Sequence, residues 1–319
     1  MSMLSRRQFL LRSSTAVAAA AVSPRIAFGD VPAASPGAAV RTGVDTVTLG
    51  GTGIETSVLG LGTGTFGGRE QRELGQEGFS RLVHQAFERG VRYIDTADSY
   101  RIHAIVAEAA RGLPREKLFI QTKMRANTAE EVRANLERFR QELDIETLDT
   151  CLIHCMTQKG WTTDRRAVID ALLEAKEKGR IRAVGVSCHS LEAMIEAVDC
   201  DDIDVLLVRI NHAGNHMDAA PEQVVPHVRR MHETGRGVLG MKIYAEGRFK
   251  TRQERLDSLK YVLGLGCVPA FTIGFKDIAQ IDETLSLIEE TIRLGESQYC
   301  PGKRSRRPHP LGRRNRLPG

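Results

Sequence analysis

The chain is poor in several things. Aromatic residues make up 5% of its 319 positions, and Trp161 is the only tryptophan. The six cysteines, Cys151, Cys155, Cys188, Cys200, Cys267 and Cys300, include no Cys-x-x-Cys pair and no matching histidine spacing. That argues against a zinc module. A disulfide framework is not expected in a chain long enough to bury a large core. No apolar run reaches the ~20 residues that a membrane-spanning helix needs. Acids are missing from both ends. Residues 1–29 hold four arginines, residues 301–319 hold seven basic residues, and neither stretch contains Asp or Glu. Taking those 11 from the 45 Lys and Arg leaves 34 against 40 acids, so the body carries −6 although the chain carries +5. A mildly acidic body offers no basic face for nucleic acid.

What is present begins with an address. Ser5–Leu11, SRRQFLL, resembles a twin-arginine export signal. An alanine-rich run, Thr15–Val22, follows it, with small-residue sites near Ala27 and Gly29 or around Ala33. The resemblance implies the twin-arginine export machinery as a partner, no stable membrane anchor, a mature start between Asp30 and Ala39, and a periplasmic location. The expected divisions are a signal over 1–29, a linker over 30–45, a folded domain over 46–295 and a tail over 296–319. The tail is basic, has no apolar period and is expected to be disordered.

The body alternates apolar runs of strand length with segments of helical period. Strands are predicted at Val58–Leu61, Val91–Asp95, Leu118–Thr122, Thr150–His154, Ile181–Ser187, Val205–Ile210, Val238–Ile243 and Ala270–Ile273. Helical faces run through Phe79, Leu82, Val83, Ala86 and Phe87, then through Val132, Leu136 and Phe139 behind a Thr128–Glu131 capping box. Further faces use Val168, Leu172 and Ala175, and Ile281, Leu285, Ile288 and Ile292. Glycines such as Gly90, Gly179, Gly235 and Gly295 are placed to close helices. Eight such units over about 240 residues fit an α/β fold of the (β/α)8 TIM-barrel type. A doubly wound sheet is the alternative, and Gly62, Gly64 and Gly67 even match G-x-G-x-x-G. That fingerprint needs a helix opening at once, and here the polar GREQRELGQE intervenes, so the glycines read as a strand emptying into a loop. A short N-terminal β-hairpin, turning at Gly50–Gly53, is placed to plug the barrel floor.

In a barrel, chemistry collects where strands end. Asp95 ends the second strand, with Tyr100 just past it. Lys123 ends the third and His154 the fourth. Taken singly, each has a plain structural explanation. Together they deliver an acid, a phenol, an ammonium and an imidazole to one rim, a set suited to carbonyl reduction. The oxygen left by hydride transfer needs a proton. A phenol of ordinary pKa near ~10 is a weak acid unless a neighbouring cation stabilises its anion. A carboxylate aims that cation, and an imidazole orients the carbonyl.

The residues Asp95-Thr-Ala-Asp-Ser-Tyr100, Gln-Thr-Lys123, Leu-Ile-His154 and Gly185-Val-Ser187 resemble the aldo-keto reductase family in order and placement, over roughly Thr46 to Leu294. The resemblance implies an NAD(P)H-dependent oxidoreductase reducing an aldehyde or ketone. Tyr100 is then the proton donor, Lys123 lowers its pKa, Asp95 pairs with Lys123, and His154 orients the substrate. It implies NADP(H), with NAD(H) as the alternative, held by Gly62, Thr63, Asp95, Ser187, Cys188, Asn211, Met241, Lys242, Gly274, Lys276, Gln280 and Glu283. Three of these depart from the family pattern. Cys188 stands where an asparagine is usual. Met241 replaces a ring-stacking tyrosine, and Gln280 replaces the arginine that grips the 2′-phosphate, which weakens the argument for NADP(H). Cys188, like Cys151, also sits in an apolar run, where a cysteine acts as a small buried hydrophobe. Trp161, in the loop after His154, either walls the substrate pocket or packs beneath that loop. Two other functions compete: a non-catalytic nicotinamide-nucleotide-binding regulatory or redox-sensing protein, and a metal-dependent hydrolase. The complete four-residue set argues against the first. The lack of clustered His and carboxylate ligands argues against the second.

Overall fold

The computed structural model describes residues 40–299. The expected export signal, the first part of the expected linker and the tail from Cys300 lie outside the described residues. A hairpin comes first, β1 (Thr46–Thr48) and β2 (Glu55–Ser57), paired antiparallel. Eight strands follow: β3 (Leu59–Gly62), β4 (Tyr93–Asp95), β5 (Phe119–Met124), β6 (Leu148–Met156), β7 (Ile181–Cys188), β8 (Val205–Arg209), β9 (Gly237–Met241) and β10 (Ala270–Gly274). Each pairs parallel with the next, and β10 closes on β3, so the sheet is a closed barrel. The helices between them are α1 (Arg69–Glu73), α2 (Gly75–Glu88), α3 (His103–Ala110), α4 (Ala129–Leu143), α5 (Trp161–Asp164), α6 (Arg166–Glu177), α7 (Leu191–Asp199), α8 (Pro221–Glu233), α9 (Arg252–Gly264) and α10 (Ile278–Tyr299). No described helix is long and apolar enough to cross a membrane.

Parallel strands buried on both faces read as unbroken apolar runs, which is why all eight were visible in the sequence. One set of side chains faces the helices in a large outer cluster. The other set fills the barrel, with Tyr93, Phe119, Leu152, Ala183, Val205, Leu207, Leu239 and Ala270 packed against Leu49 and Ile54 from the hairpin. Leu49 and Ile54 are fully buried, so the hairpin does plug the floor. A Cβ on Gly60 would lie 2.2 Å from the Tyr93 ring, so only glycine leaves Tyr93 its place.

Several boundaries differ from expectation. Residues 40–45, assigned to a linker, are stitched to the barrel. The Asp45 carboxylate accepts from the backbone and hydroxyl of Thr42, and Leu59 N–H donates to Gly43 O at 2.7 Å. Gly295 does not end its helix; α10 continues to Tyr299. The polar stretch after the glycine loop is not merely a spacer, since Arg69–Glu73 forms the short α1. The capping box at Thr128 is half formed. Thr128 Oγ1 accepts from Glu131 N–H, but the Glu131 carboxylate accepts from Asn127 N–H instead of Thr128. A complete box opens α9 at Thr251 and Glu254.

Candidate active site

Side chains along β4 and β5 alternate between the barrel interior and the helices. Above the apolar floor the interior turns polar. Gln121, fully buried, donates from Nε2 to Tyr93 Oη at 2.9 Å and to Asp95 Oδ1 at 2.7 Å, and its Oε1 accepts from Thr150 Oγ1 at 3.1 Å. Two residues on, Lys123 is 1% exposed. Its Nζ donates to Asp95 Oδ1 at 2.6 Å and to Thr96 O at 2.8 Å. The same ammonium lies 5.0 Å from the centre of the Tyr100 ring. His154, from β6, meets that ring edge-on with centroids 5.9 Å apart. The four expected catalytic residues therefore share one site.

Tyr100 is carried by a short 3₁₀ turn, Asp98–Tyr100, fixed from both sides. Arg138 on α4 donates to Asp98 Oδ1 and to Glu142 Oε1, each at 2.9 Å. The other Glu142 oxygen meets His103 Nδ1 at 2.8 Å, and His103 Nε2 meets Thr122 Oγ1 at 2.8 Å. Asp98, His103 and Glu142 come close enough to resemble ligands. Arg138 bridges the two carboxylates, so the group acts as a clasp on the turn. The glycine loop wraps the other side, and a Cβ on Gly64 would lie 2.6 Å from Tyr100 Oη.

The electrostatics divide the roles. Burial raises the pKa of Tyr100, and the Lys123 charge opposes that rise without cancelling it. Lys123 thus lowers the phenol's pKa in the expected direction, but desolvation outweighs it in this state, and the phenol stays protonated. Lys123 itself is pulled down by burial, but Asp95 and Tyr100 together leave it raised and charged. Burial and the nearby Lys123 and Arg125 charges push His154 down to about 2. Its imidazole is therefore neutral in ordinary buffers. It can donate a hydrogen bond, but it holds no proton to give up as an acid.

Beside Tyr100 opens a cavity of about 620 Å³. Of the residues expected at the cofactor, Gly62, Asp95, Met241, Lys242, Gly274, Lys276, Gln280 and Glu283 line it. Four do not. Thr63 is fully buried, and its hydroxyl donates to Asp95 O at 2.8 Å, which fixes the strand end. Ser187 is fully buried and accepts from Cys155 N–H at 2.9 Å. Cys188 faces the helices in the outer apolar cluster, because the alternation that turns Ser187 inward turns its neighbour out. Asn211 is spent on backbone groups: Nδ2 donates to Asn215 O at 2.7 Å and to Lys242 O at 3.2 Å, and Oδ1 accepts from Ala213 and Asn215 N–H. Trp161 is 2% exposed and donates from Nε1 to Ala193 O at 3.0 Å, so it packs beneath the loop and does not line the cleft beside Tyr100.

Comparison with known proteins bears on this geometry. The model of the aldo/keto reductase family matches residues 58–292, which takes in the whole barrel and all four rim residues. The chain belongs to the aldo/keto reductase family. An aldo-keto reductase of Mycobacterium avium is 33% identical over 151 residues, 46% of this chain and 49% of that protein. The NADH-specific methylglyoxal reductase of Escherichia coli is 25% identical over 197 residues, 54% of this chain and 60% of that protein. The matched stretch spans about half the length of the mycobacterial relatives. An aldo-keto reductase from Bacillus halodurans, solved in its holo form, superposes with a TM-score of 0.63 at 19% identity, covering 79% of this chain and 96% of that one. At that identity the likeness concerns the fold.

Aldo/keto reductases use nicotinamide nucleotides, and the cavity fits one. Its volume lies within the ~300–1,000 Å³ typical of ligand clefts. Its floor is bare backbone at Gly274, where a Cβ would lie 2.1 Å from Thr65 Oγ1. Thr272 Oγ1, on the same wall, is buried without a partner. Lys250, Arg255 and Lys276 gather in the cleft on the elements around β9 and β10. The sequence reading missed Lys250 and Arg255.

Proposed function

We propose that the protein is an NAD(P)H-dependent reductase of small aldehydes or ketones, with Tyr100 as the proton donor. The observation that carries this is Lys123 Nζ, held 2.6 Å from Asp95 Oδ1 and 5.0 Å from the Tyr100 ring centre, beside a nucleotide-sized cleft. The bound nicotinamide supplies the hydride. Gly62, Met241 and Gly274 form the wall that receives the nucleotide beside Tyr100. Neutral His154 donates a ring N–H to the carbonyl oxygen and sets its direction. Tyr100 Oη passes its proton to that oxygen as the negative charge develops, and the Lys123 ammonium stabilises the phenolate left behind. Asp95, Gln121 and the Thr96 carbonyl keep the ammonium charged and aimed. Water has little access, since Asp95 is 4% and Lys123 1% exposed, and the charge–charge interactions are correspondingly strong.

Tyr100→Phe tests the reading. The ring keeps its packing and loses only the hydroxyl. Reduction of a carbonyl panel should fall by about 10²–10⁴-fold, the magnitude of general-acid catalysis. Nucleotide affinity should be unchanged. Methylglyoxal, the substrate in the name of the Escherichia coli relative, heads that panel. A loss smaller than about tenfold would remove Tyr100 from the proton-donor role.

A further inference from the structure

The turn that carries Tyr100 does not hold itself. It spans Asp98–Tyr100 and leaves through Arg101 at φ 56°, a left-handed conformation that few non-glycine residues adopt unaided. On the glycine-loop side, Tyr100 O accepts from Arg72 Nη1. On the other side the hold comes from outside the barrel. Arg138 Nη1 donates to Asp98 Oδ1 and to Glu142 Oε1, each at 2.9 Å, and Nη2 is steadied by Asn135 Oδ1 on the same helix at 3.1 Å. Burial raises the Glu142 pKa, but Arg138 and His103 outweigh it, so the carboxylate is ionised. An ionised carboxylate only accepts, so the 2.8 Å contact with His103 places that imidazole's proton on Nδ1. Nε2 is then the acceptor for the Thr122 hydroxyl, also at 2.8 Å. Burial holds His103 below the ordinary imidazole value against the pull of Glu142, which keeps it neutral and in this tautomer. Thr122 points outward from β5, and its neighbour Lys123 points inward. A continuous path of side chains therefore joins the turn of Tyr100 to the strand of Lys123 without entering the cleft.

We propose that Arg138, Glu142 and His103 are positioning residues for the reduction: together they set the spacing between Tyr100 and Lys123 on which proton transfer depends. The role rests on Tyr100 being the proton donor. The ammonium stabilises the phenolate through a separation of 5.0 Å from the ring centre, and that stabilisation weakens as the distance grows. Proton transfer also needs the hydroxyl within hydrogen-bond reach of the carbonyl oxygen, so a turn that drifts loses both. Surface stability alone would account for Arg138 and Glu142, which form an i,i+4 pair on α4. It does not account for the same nitrogen reaching Asp98, 40 residues away in the chain. Nor does it account for a path that runs on through a buried imidazole and ends on the fully buried Thr122, beside Lys123. Arg138 fixes the turn, His103 fixes the outer face of β5, and Glu142 ties one to the other.

The experiment crosses Arg138→Met with Tyr100→Phe in the full chain and reads kcat for a carbonyl that the wild type reduces, KM for the nucleotide, and the urea midpoint of each protein. Arg138→Met should lower kcat by about 10–10²-fold, as a misplacement of about 1 Å does, and leave the nucleotide KM unchanged. In the Tyr100→Phe background the same change should lower kcat by less than about twofold, because no proton is left to position. The loss of stability, by contrast, should be equal in both backgrounds. Arg138→Lys keeps a cation near the carboxylates and should regain part of kcat. Arg133→Met, on the same helix, loses pairs with Glu130 and Glu174 and should leave kcat unchanged. Thr122→Val cuts the far end of the path while keeping a β-branched side chain. It should lower kcat by about three- to tenfold, again only where Tyr100 is present, and it carries the test if Arg138→Met does not fold. The positioning role is refuted if either variant keeps kcat within about twofold of wild type, or if its loss is as large in Tyr100→Phe as in the wild type. A loss below about tenfold in Tyr100→Phe itself would refute the proton-donor reading, and the positioning role with it.

Discussion

Replacing Lys123 by methionine separates what the ammonium does for the fold from what it does for the reaction. The side chain is 1% exposed, and its Nζ bonds to Asp95 Oδ1 and Thr96 O. Methionine fills much the same volume but leaves the Asp95 carboxylate with Gln121 Nε2 as its remaining side-chain donor. Breaking a buried pair in this one-sided way costs about 3–5 kcal/mol. The catalytic effect is worked from the distance. A unit charge 5.0 Å from the Tyr100 ring, at an effective dielectric of about 20, stabilises the phenolate by about 3 kcal/mol. If half of the charge has developed in the transition state, kcat for reduction falls by about tenfold or slightly more. The assay is kcat at saturating carbonyl and nucleotide, with urea melts of the same samples. Asp95→Asn combined with Lys123→Met removes the orphaned carboxylate, so it should recover most of the stability and none of the rate. Lys123→Met with kcat within about threefold of wild type would refute the electrostatic role. So would a double variant that regains the rate along with the stability.

Two other outcomes follow from the same geometry. Gly64→Ala sets a methyl group 2.6 Å from Tyr100 Oη; the ring must shift, and a shift of about 1 Å should lower kcat by about 10²-fold while the melting temperature changes little. With Tyr100 as the proposed proton donor, activity should be present below its raised pKa and be lost only as pH climbs above the ordinary 10.0. His154, pushed down to about 2, should add no acid limb between pH 5 and 8. A limb near the ordinary imidazole value of 6.5 that vanishes in His154→Gln would show a charged imidazole and overturn the division of roles.

The barrel was legible because its strands are buried on both faces and therefore mostly apolar, and because several of the polar exceptions lie at or near a strand's C-terminal end. Asp95, Lys123 and His154 stand out as polar groups that finish apolar runs, and their burial shows how costly they would be without partners. Cys188 shows a signal that was present and not followed. Counting by twos from Ser187 already turns Cys188 toward the helices, in keeping with its reading as a small buried hydrophobe. Thr63 and Asn211 could not be sorted by type, since a hydroxyl or an amide at a strand end serves a ligand and a loop equally well. Only the partners decide, and here they are Asp95 O for one and the 211–215 backbone with Lys242 O for the other.

The cations of the cleft were illegible for a different reason. The family pattern looked for a cation at one helical position, and that position holds Gln280. Charge in a cleft is set by every element that borders it, whatever the order of the chain. Arg255 lies on α9, a helix whose Thr251–Glu254 box marks its start but whose sequence says nothing about what it faces. Its guanidinium reaches the cleft because α9 and α10 lie side by side, and α10 supplies the Glu283 that holds it. The same packing that restores an arginine therefore also occupies it. Losing the family arginine from α10 does not by itself decide between NADH and NADPH. The contact of 2.7 Å between Arg255 and Glu283 joins two helices that no local pattern encodes.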